Sequence, residues 1–288
     1  MAVESVTETA MIWGTVSGAS MVGMVISLLL SVGLPIFLGI FIYKKTKAWV
    51  PAFFIGCGIF VGFAMILEQI CHAIVLTVTG DVIRDNIWLY AIYGGLAAAL
   101  FEECGRWIAM KFCLKKHLTR ENALMYGAGH GGIEAFLILG MSSMSNLLTA
   151  AMINGGLMEK TMTALEPAQQ EVTYHQLSVL WTTPAYQFYL APVERISAIA
   201  LQIALSILVY SAVKTGRKLH LAAAFGLHFA VDFLTVICAA AIPTWALELG
   251  LLLVVAVICV VVYQLVYVQM AEKKARQRQK PSDKKEWI

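Results

Sequence analysis

Charged residues are scarce in this chain. Only 14% of its 288 residues are Asp, Glu, Lys or Arg, whereas 59% are hydrophobic. A soluble domain has about 25% charged and about 45–50% apolar residues. The low charge content excludes a soluble globular enzyme, and the high apolar content excludes a disordered chain or a collagen-like repeat. The composition therefore predicts a polytopic membrane protein.

Several patterns that mark disulfides, metal sites or serine nucleophiles are also missing. The six cysteines lie in apolar stretches without any CxxC spacing, which excludes a disulfide framework and a zinc ribbon. The HExxH pattern of zinc peptidase helices is absent. The Gly-x-Ser-Gly sequence of rhomboid proteases is absent as well, and no repeat relates one half of the chain to the other.

Seven apolar runs are long enough to cross a bilayer, because a spanning helix needs about 20 residues. The runs cover about 19–43, 49–76, 87–113, 122–153, 193–213, 219–242 and 245–270. They predict an all-α bundle of seven transmembrane helices in one domain, residues 1–270, followed by a basic tail at 271–288. The polar segment between the fourth and fifth runs is expected to lie partly along the membrane surface.

Lysine and arginine lie mainly on one side of the predicted bundle. If the loops after the first, third, fifth and seventh runs share a side, they hold 17 of the 21 basic residues, and the opposite loops hold only Arg84 and Lys160. Because basic loops stay in the cytoplasm, this bias predicts an external N-terminus and a cytoplasmic C-terminus for a multi-pass protein of the cell membrane. The basic residues do not form one patch, so membrane lipid is an expected partner and nucleic acid is not.

Charged and imidazole side chains occur inside three of the predicted helices, where burying a charge costs about 2.5–3.5 kcal/mol. In each helix they are three or four residues apart, so they share a face. At 1.5 Å per residue, all three groups lie about 12–20 Å from the predicted cytoplasmic ends. The groups are Glu102, Glu103 and Arg106 in the third run, His130 and Glu134 in the fourth, and His228 and Asp232 in the sixth. Their common depth predicts a single polar site inside the membrane.

These residue types suit the hydrolysis of an amide bond. A glutamate beside a histidine can hold and deprotonate a water molecule. A second histidine with a hydrogen-bonded carboxylate can stabilise the oxyanion that forms when water attacks a carbonyl group. Buried Glu, Asp and His also form proton relays, so a proton- or ion-coupled transporter is an alternative. The absence of two matching halves and the shared depth favour a hydrolase.

The order and spacing of the three motifs resemble those of the glutamic-type intramembrane proteases. This superfamily includes the CAAX-prenyl endopeptidases, the CPBP (Abi) proteins and the PrsW proteases, and the nearest resemblance is to the YhfC family of bacterial intramembrane proteases. The motifs are Glu102-Glu103-x-x-Arg106, Tyr126-x-x-x-His130 and His228-x-x-x-Asp232. The first has the spacing of the PrsW motif, and the second has tyrosine where the CAAX branch has phenylalanine. The resemblance covers residues 87–242, the expected catalytic core.

The resemblance implies roles for these residues. Glu102 is the expected base that activates water, with His130 as its partner, and His228 and Asp232 form the oxyanion side. The implied substrate is a membrane protein or peptide that is cleaved within the bilayer or at its edge. A noncatalytic membrane scaffold in self-protection against peptides, a role proposed for some relatives, is a further alternative.

The remaining motif residues have supporting or open roles. Glu103 and Arg106 are expected to support the first motif, and Glu134 is an additional carboxylate one turn after His130. Because His130, His228 and Glu134 could supply three ligands, zinc is an open alternative. Family members have been called metalloproteases, although the chemistry can be written with glutamate and histidine alone.

Other polar positions inside or near the runs have simpler interpretations. Glu68 and His72, four residues apart, are predicted to form an interfacial pair near the external surface. Glu194 and Arg195 are predicted to form an interfacial ion pair, although Arg195 could brace the site. Gln202 is predicted to form hydrogen bonds between helices.

Overall fold

Long helices dominate the part of the chain that the structure, a computed structural model, describes, residues 11–268; no β-strand occurs there. Those long and apolar enough to span a membrane are α1 (Gly18–Thr46), α2 (Pro51–Thr79), α3 (Ile87–Cys113), α4 (Arg120–Asn154), α7 (Ala185–Thr215), α8 (Lys218–Ala239) and α9 (Thr244–Val266). Two shorter helices, α5 (Leu157–Met162) and α6 (Pro167–Thr182), lie between α4 and α7. The predicted all-α architecture with seven spanning helices is confirmed. The basic tail predicted at 271–288 lies outside the described residues.

Side-chain caps mark the starts of two helices that carry site residues. Asn86 accepts a hydrogen bond from the backbone N–H of Trp88 at 3.0 Å, at the start of α3. Thr119 accepts one from Asn122 at 3.2 Å, at the start of α4. Each cap satisfies a backbone donor that has no partner within its helix. These short signals lie next to the predicted run starts, so the beginnings of α3 and α4 agree closely with the sequence.

Helix α7 begins eight residues earlier than the apolar run predicted. It starts at Ala185, directly after Pro184, and continues through Pro192. The first two turns contain tyrosine, glutamine and other residues that lower the local hydropathy. Hydropathy therefore identifies the apolar part of α7 but not its full helical length.

Helix α7 occupies the centre of the bundle. In its most apolar 18-residue window, 72% of the residues are buried, against 17–33% in the other spanning helices. It packs against α1, α4, α8 and α9. The outer helices instead expose large apolar side chains such as Phe37 and Leu253, as lipid contact requires. A polar residue on α7 therefore meets other helices and not lipid.

The glycine-rich part of α4 is a close-packing surface. A Cβ atom at Gly129 would lie 1.9 Å from the carbonyl oxygen of Phe53 on α2, and one at Gly127 would lie 2.7 Å from Cα of Ile203 on α7. Small residues allow such close approach of membrane helices. Because these contacts fix α4 between α2 and α7, they also fix the position of His130 within the same glycine run.

Candidate active site

The structure brings the three sequence motifs together in the interior of the bundle. The first motif lies on α3, the second on α4 and the third on α8. Helices α3 and α8 pack against each other, while α4 packs against α2 and α7. Six of the seven predicted site residues have at most 9% of their surface exposed: Glu102, Glu103, Arg106, His130, Glu134 and His228. The shared depth inferred from helix geometry therefore corresponds to physical proximity.

Glu102 and His130 form the first contact between motifs. The Nε2 atom of His130 lies 2.9 Å from Oε2 of Glu102, which is hydrogen-bonding distance. The His130 side chain is completely buried. Its ring is held by the edge of Phe60, with centroids 5.3 Å apart, and by the hydroxyl of Tyr126, 3.4 Å from Nδ1. The aromatic residue of the second motif thus lies against the imidazole that it precedes by one turn.

Glu103 and His228 form the second contact. The Nδ1 atom of His228 lies 2.9 Å from Oε1 of Glu103, which orients the imidazole ring. The other ring nitrogen, Nε2, lies 3.9 Å from Oε2 of Glu102 and 3.5 Å from Oδ2 of Asp232. Glu103 therefore orients His228, and the free edge of that ring points toward two more carboxylates.

Arg106 connects the first motif to the central helix. It is fully buried and lies between both glutamates, with Nε 3.1 Å from Glu103 Oε2 and Nη2 3.8 Å from Glu102 Oε2. Its Nη1 atom donates to the backbone oxygen of Gln202 and to the hydroxyl of Ser206, both at 2.7 Å. A buried charge needs an opposite charge and hydrogen bonds. Arg106 has its opposite charges on α3, in the two glutamates, and its hydrogen-bond acceptors on α7.

Gln202 on α7 is the residue that links the motifs to one another. Its Nε2 group donates to Glu102 Oε2 at 2.9 Å and to Glu134 Oε2 at 2.8 Å. Its Oε1 atom accepts a hydrogen bond from Arg106. The predicted hydrogen bonding between helices is therefore confirmed, but its partners are the site residues themselves. The amide uses both of its donors and its acceptor within one polar network.

Glu134 faces Arg195 and Gln202, although it lies one turn from His130. Its Oε1 atom lies 3.2 Å from Nη1 of Arg195, which also pairs with the adjacent Glu194. Arg195 therefore contacts a site residue, in agreement with the alternative prediction that Arg195 braces the site. Sequence spacing could not show this contact, because residues 134 and 195 are on different helices.

A cavity of about 260 Å³ opens beside these residues. Glu102, His228 and Asp232 are part of its wall, and so are Glu134 and Arg195. Apolar side chains complete the lining, among them Leu201, Val231, Leu251 and Val255. Glu103, Arg106 and His130 are not in the lining and contact the lining residues from behind. The site thus has a face that reacting groups can reach and a buried layer that supports it.

Glu68 lies near the site residues, although its position in the sequence did not group it with them. The expected pair forms, with His72 Nε2 3.2 Å from Glu68 Oε1, and His72 Nδ1 lies 2.8 Å from the hydroxyl of Tyr93. Glu68 itself is buried and lies within electrostatic range of Glu102 and His228. It ends a π-helical segment of α2, Val61–Glu68. Such a segment rotates the residues after it relative to regular α-helical spacing, so the sequence alone does not show that Glu68 faces the site.

The predicted zinc ligands are not arranged as a metal site. Within residues 11–268, no group of three or more His, Cys, Asp or Glu side chains is placed to hold a metal ion. Glu134 is paired with Arg195 and accepts a hydrogen bond from Gln202. The Nη2 atom of Arg106 lies 3.5 Å from Nε2 of His130, so a dication bound there would lie next to a buried guanidinium. The residues in this arrangement do not fit a zinc ion.

Replacing Gln202 with leucine should destabilise the protein and slow its reaction. The change removes one hydrogen bond from each of two buried carboxylates, Glu102 and Glu134, and one from the Arg106 guanidinium, at a cost of about 1–3 kcal/mol. Thermal unfolding in detergent measures this loss. Gln264→Leu, at an exposed position of α9, is the matched control and should unfold near the wild-type temperature. Equal stability of both variants would show that the Gln202 bonds contribute nothing.

Comparison with known proteins places the chain in a family. The profile of the family described as "YhfC intramembrane metalloprotease" matches residues 30–273. The protein named "Uncharacterized membrane protein YhfC" of Bacillus subtilis (strain 168) is 43% identical over 204 residues, which cover 68% of this chain and 76% of the Bacillus protein. No solved structure matches the chain. The family match includes all three motifs that converge on the cavity, and this chain is a multi-pass membrane protein of the YhfC family.

Proposed function

We propose that this protein is an intramembrane endopeptidase in which Glu102 activates the attacking water. The observation that carries the proposal is the position of Glu102 and His228 on one cavity wall, where their facing atoms are 3.9 Å apart without a hydrogen bond between them. The family description also names a protease, which supports the reaction class.

Glu102 is suited to act as the general base. Its carboxylate lines the cavity, and a water molecule hydrogen-bonded to it can pass a proton to it while attacking a peptide carbonyl carbon. The buried imidazole of His130 and the amide of Gln202 both contact Oε2 and hold the carboxylate in one orientation. The proton then moves from Glu102 to the leaving amine nitrogen as the carbon–nitrogen bond breaks.

His228 is suited to stabilise the tetrahedral intermediate. In its protonated form the ring has two N–H donors. One of them is directed at Glu103, so the N–H at Nε2 is free to donate to the oxyanion that forms from the carbonyl oxygen. Asp232, 3.5 Å from the same nitrogen and also on the cavity wall, orients this edge of the ring.

The cavity walls favour a substrate segment from the membrane. Leu201, Val231, Leu251 and Val255 form an apolar lining around the polar groups. An apolar peptide segment can replace lipid contacts with contacts to these side chains, while water remains at the carboxylates. The expected partners are therefore membrane lipid and a membrane protein or peptide substrate in the cell membrane.

We expect the reaction to proceed without an added metal ion. The guanidinium of Arg106 is 3.5 Å from the His130 nitrogen that a metal would need, and it already pairs with both glutamates of the first motif. The test is cleavage of an apolar 20-residue peptide in proteoliposomes, by protein purified and assayed with EDTA. Cleavage should continue at the rate found without EDTA. Loss with EDTA and recovery with Zn²⁺ but not Mg²⁺ would show that the site rearranges around a metal.

The orientation of the bundle is a further expected result, based on the 17 basic residues that share one side. A reporter fused after Ala271 should be cytoplasmic, and one inserted near Glu166 should be external, because basic loops are retained in the cytoplasm. Paired fusions to alkaline phosphatase and to a fluorescent protein measure this. The reverse pair of signals would contradict the proposed orientation.

A further inference from the structure

Three carboxylates from three helices surround a single arginine at one end of the cavity. Glu134 is on α4, Glu194 and Arg195 are on α7, and Glu248 is on α9. Arg195 lies 3.2 Å from Glu134 and pairs with Glu194, and Glu248 is within electrostatic range of Glu194 and Arg195. We call these four residues the Arg195 cluster. Arg195 is the one cationic side chain of the cluster, beside three carboxyl groups.

Glu248 is the member of the cluster without a partner. Only 7% of its surface is exposed, and its Oε2 atom has no hydrogen-bond partner among the described residues. Leu251 and Val255 lie three and seven residues further along α9 and line the cavity, so Glu248 belongs to the same helix face. A buried carboxylate without a partner is costly. Glu248 itself does not line the cavity, but it lies on the helix face that does, so its unsatisfied oxygen is next to the cavity wall.

The cluster is close to the reacting groups. The Nε2 atom of Gln202 donates both to Glu102 and to Glu134, so one amide nitrogen separates the proposed base from the cluster. A peptide residue spans about 3.3–3.6 Å when extended. A side chain bound at the cluster would therefore belong to a residue within about two positions of the cleaved bond.

We propose that the Arg195 cluster binds the ammonium or guanidinium group of a lysine or arginine in the substrate peptide. This inference rests on the proposed function, because it names the class of peptide that the same site accepts. A cationic group would supply N–H donors and positive charge to carboxyl groups that have only Arg195 as a cationic neighbour in the cluster, and Glu248 Oε2 is the oxygen among them without a partner. The aliphatic stem of the basic residue would pack on the apolar lining at Leu251 and Val255.

The test measures binding separately from cleavage. The probes are fluorescent apolar 20-residue peptides that carry one lysine at each of five central positions, with a methionine series as reference. Binding to the full-length protein in nanodiscs is compared between wild type and Glu102→Gln, which binds without turnover. At one or two positions the lysine peptide should bind about tenfold more tightly than the methionine peptide, as expected for a charge-assisted hydrogen bond.

Charge-neutral variants identify the residues responsible. Glu248→Gln and Glu194→Gln should each reduce the lysine-to-methionine binding ratio several-fold. Glu171→Gln, at an exposed position of α6 outside the cavity, is the matched control and should keep the wild-type ratio. Glu194 is 27% exposed at its side chain and tolerates the change if Glu248→Gln does not fold. A ratio near one at every position, or a ratio that both variants retain, would overturn the inference.

The outcomes also separate this inference from the proposed function. If no peptide is cleaved but lysine peptides bind in a manner that requires Glu248 and Glu194, the cluster inference holds and the protease proposal fails. If lysine and methionine peptides bind and are cleaved equally, the protease proposal holds and the cluster inference fails. Tighter binding of a glutamate-bearing peptide would instead identify Arg195 as the binding group and overturn the inference.

Discussion

Replacing Glu102 with glutamine is expected to lower the rate of peptide cleavage by about 10²–10⁴-fold, the usual contribution of a general base. Glutamine has nearly the same shape, so the contacts at 2.9 Å to His130 and to Gln202 can be kept in altered form. The change removes only the group that accepts the proton from water. Folding should be nearly unaffected, because a buried neutral amide costs less than a buried carboxylate.

The neighbouring glutamate is the matched comparison for Glu102. Glu103 is also buried on α3, but it contacts His228 and Arg106 and does not line the cavity. Glu103→Gln should therefore slow cleavage less than Glu102→Gln does. Cleavage rates and thermal stability in detergent are measured for both variants. Wild-type cleavage by Glu102→Gln would show that Glu102 is not the base, and Glu103 or Glu134 would become the candidate.

Replacing Arg106 with methionine should cost both stability and activity. Methionine fills part of the space but leaves Glu103, which is 2% exposed, without its opposite charge. Breaking a buried ion pair by removal of one partner typically costs about 3–5 kcal/mol. Two bonds at 2.7 Å to α7 are lost as well, so α3 should lose its polar attachment to the central helix.

A double variant identifies the source of that loss. If the cost comes from the stranded glutamate, Arg106→Met combined with Glu103→Gln should recover much of the stability but none of the activity. Arg84→Met, at an exposed position between α2 and α3, is the control and should unfold like the wild type. Thermal unfolding and peptide cleavage are measured on the same preparations. Full stability of Arg106→Met alone would contradict a structural role for this ion pair.

Short-range sequence properties were sufficient for the fold class and for grouping the motif residues of α3, α4 and α8. Hydropathy over about 20 residues reports whether a segment can lie in lipid, and that property does not depend on the rest of the chain. The spacing of Glu102 and Arg106, or of His228 and Asp232, reports a shared helix face for the same reason. Because charged groups are costly in a membrane, these residues can be grouped as site candidates from the sequence alone.

The partners of these residues were decided by the tertiary structure alone. Glu134 is one turn from His130, yet it pairs with Arg195, because the packing of α4 on α7 brings those two side chains together. Gln202 is a lone polar residue in the sequence, and only the central position of α7 makes it the link among three motifs. Contacts between helices depend on the rotation and depth of each helix. A one-residue change in register, such as the π-helical segment before Glu68, alters both without leaving a clear sign in the sequence.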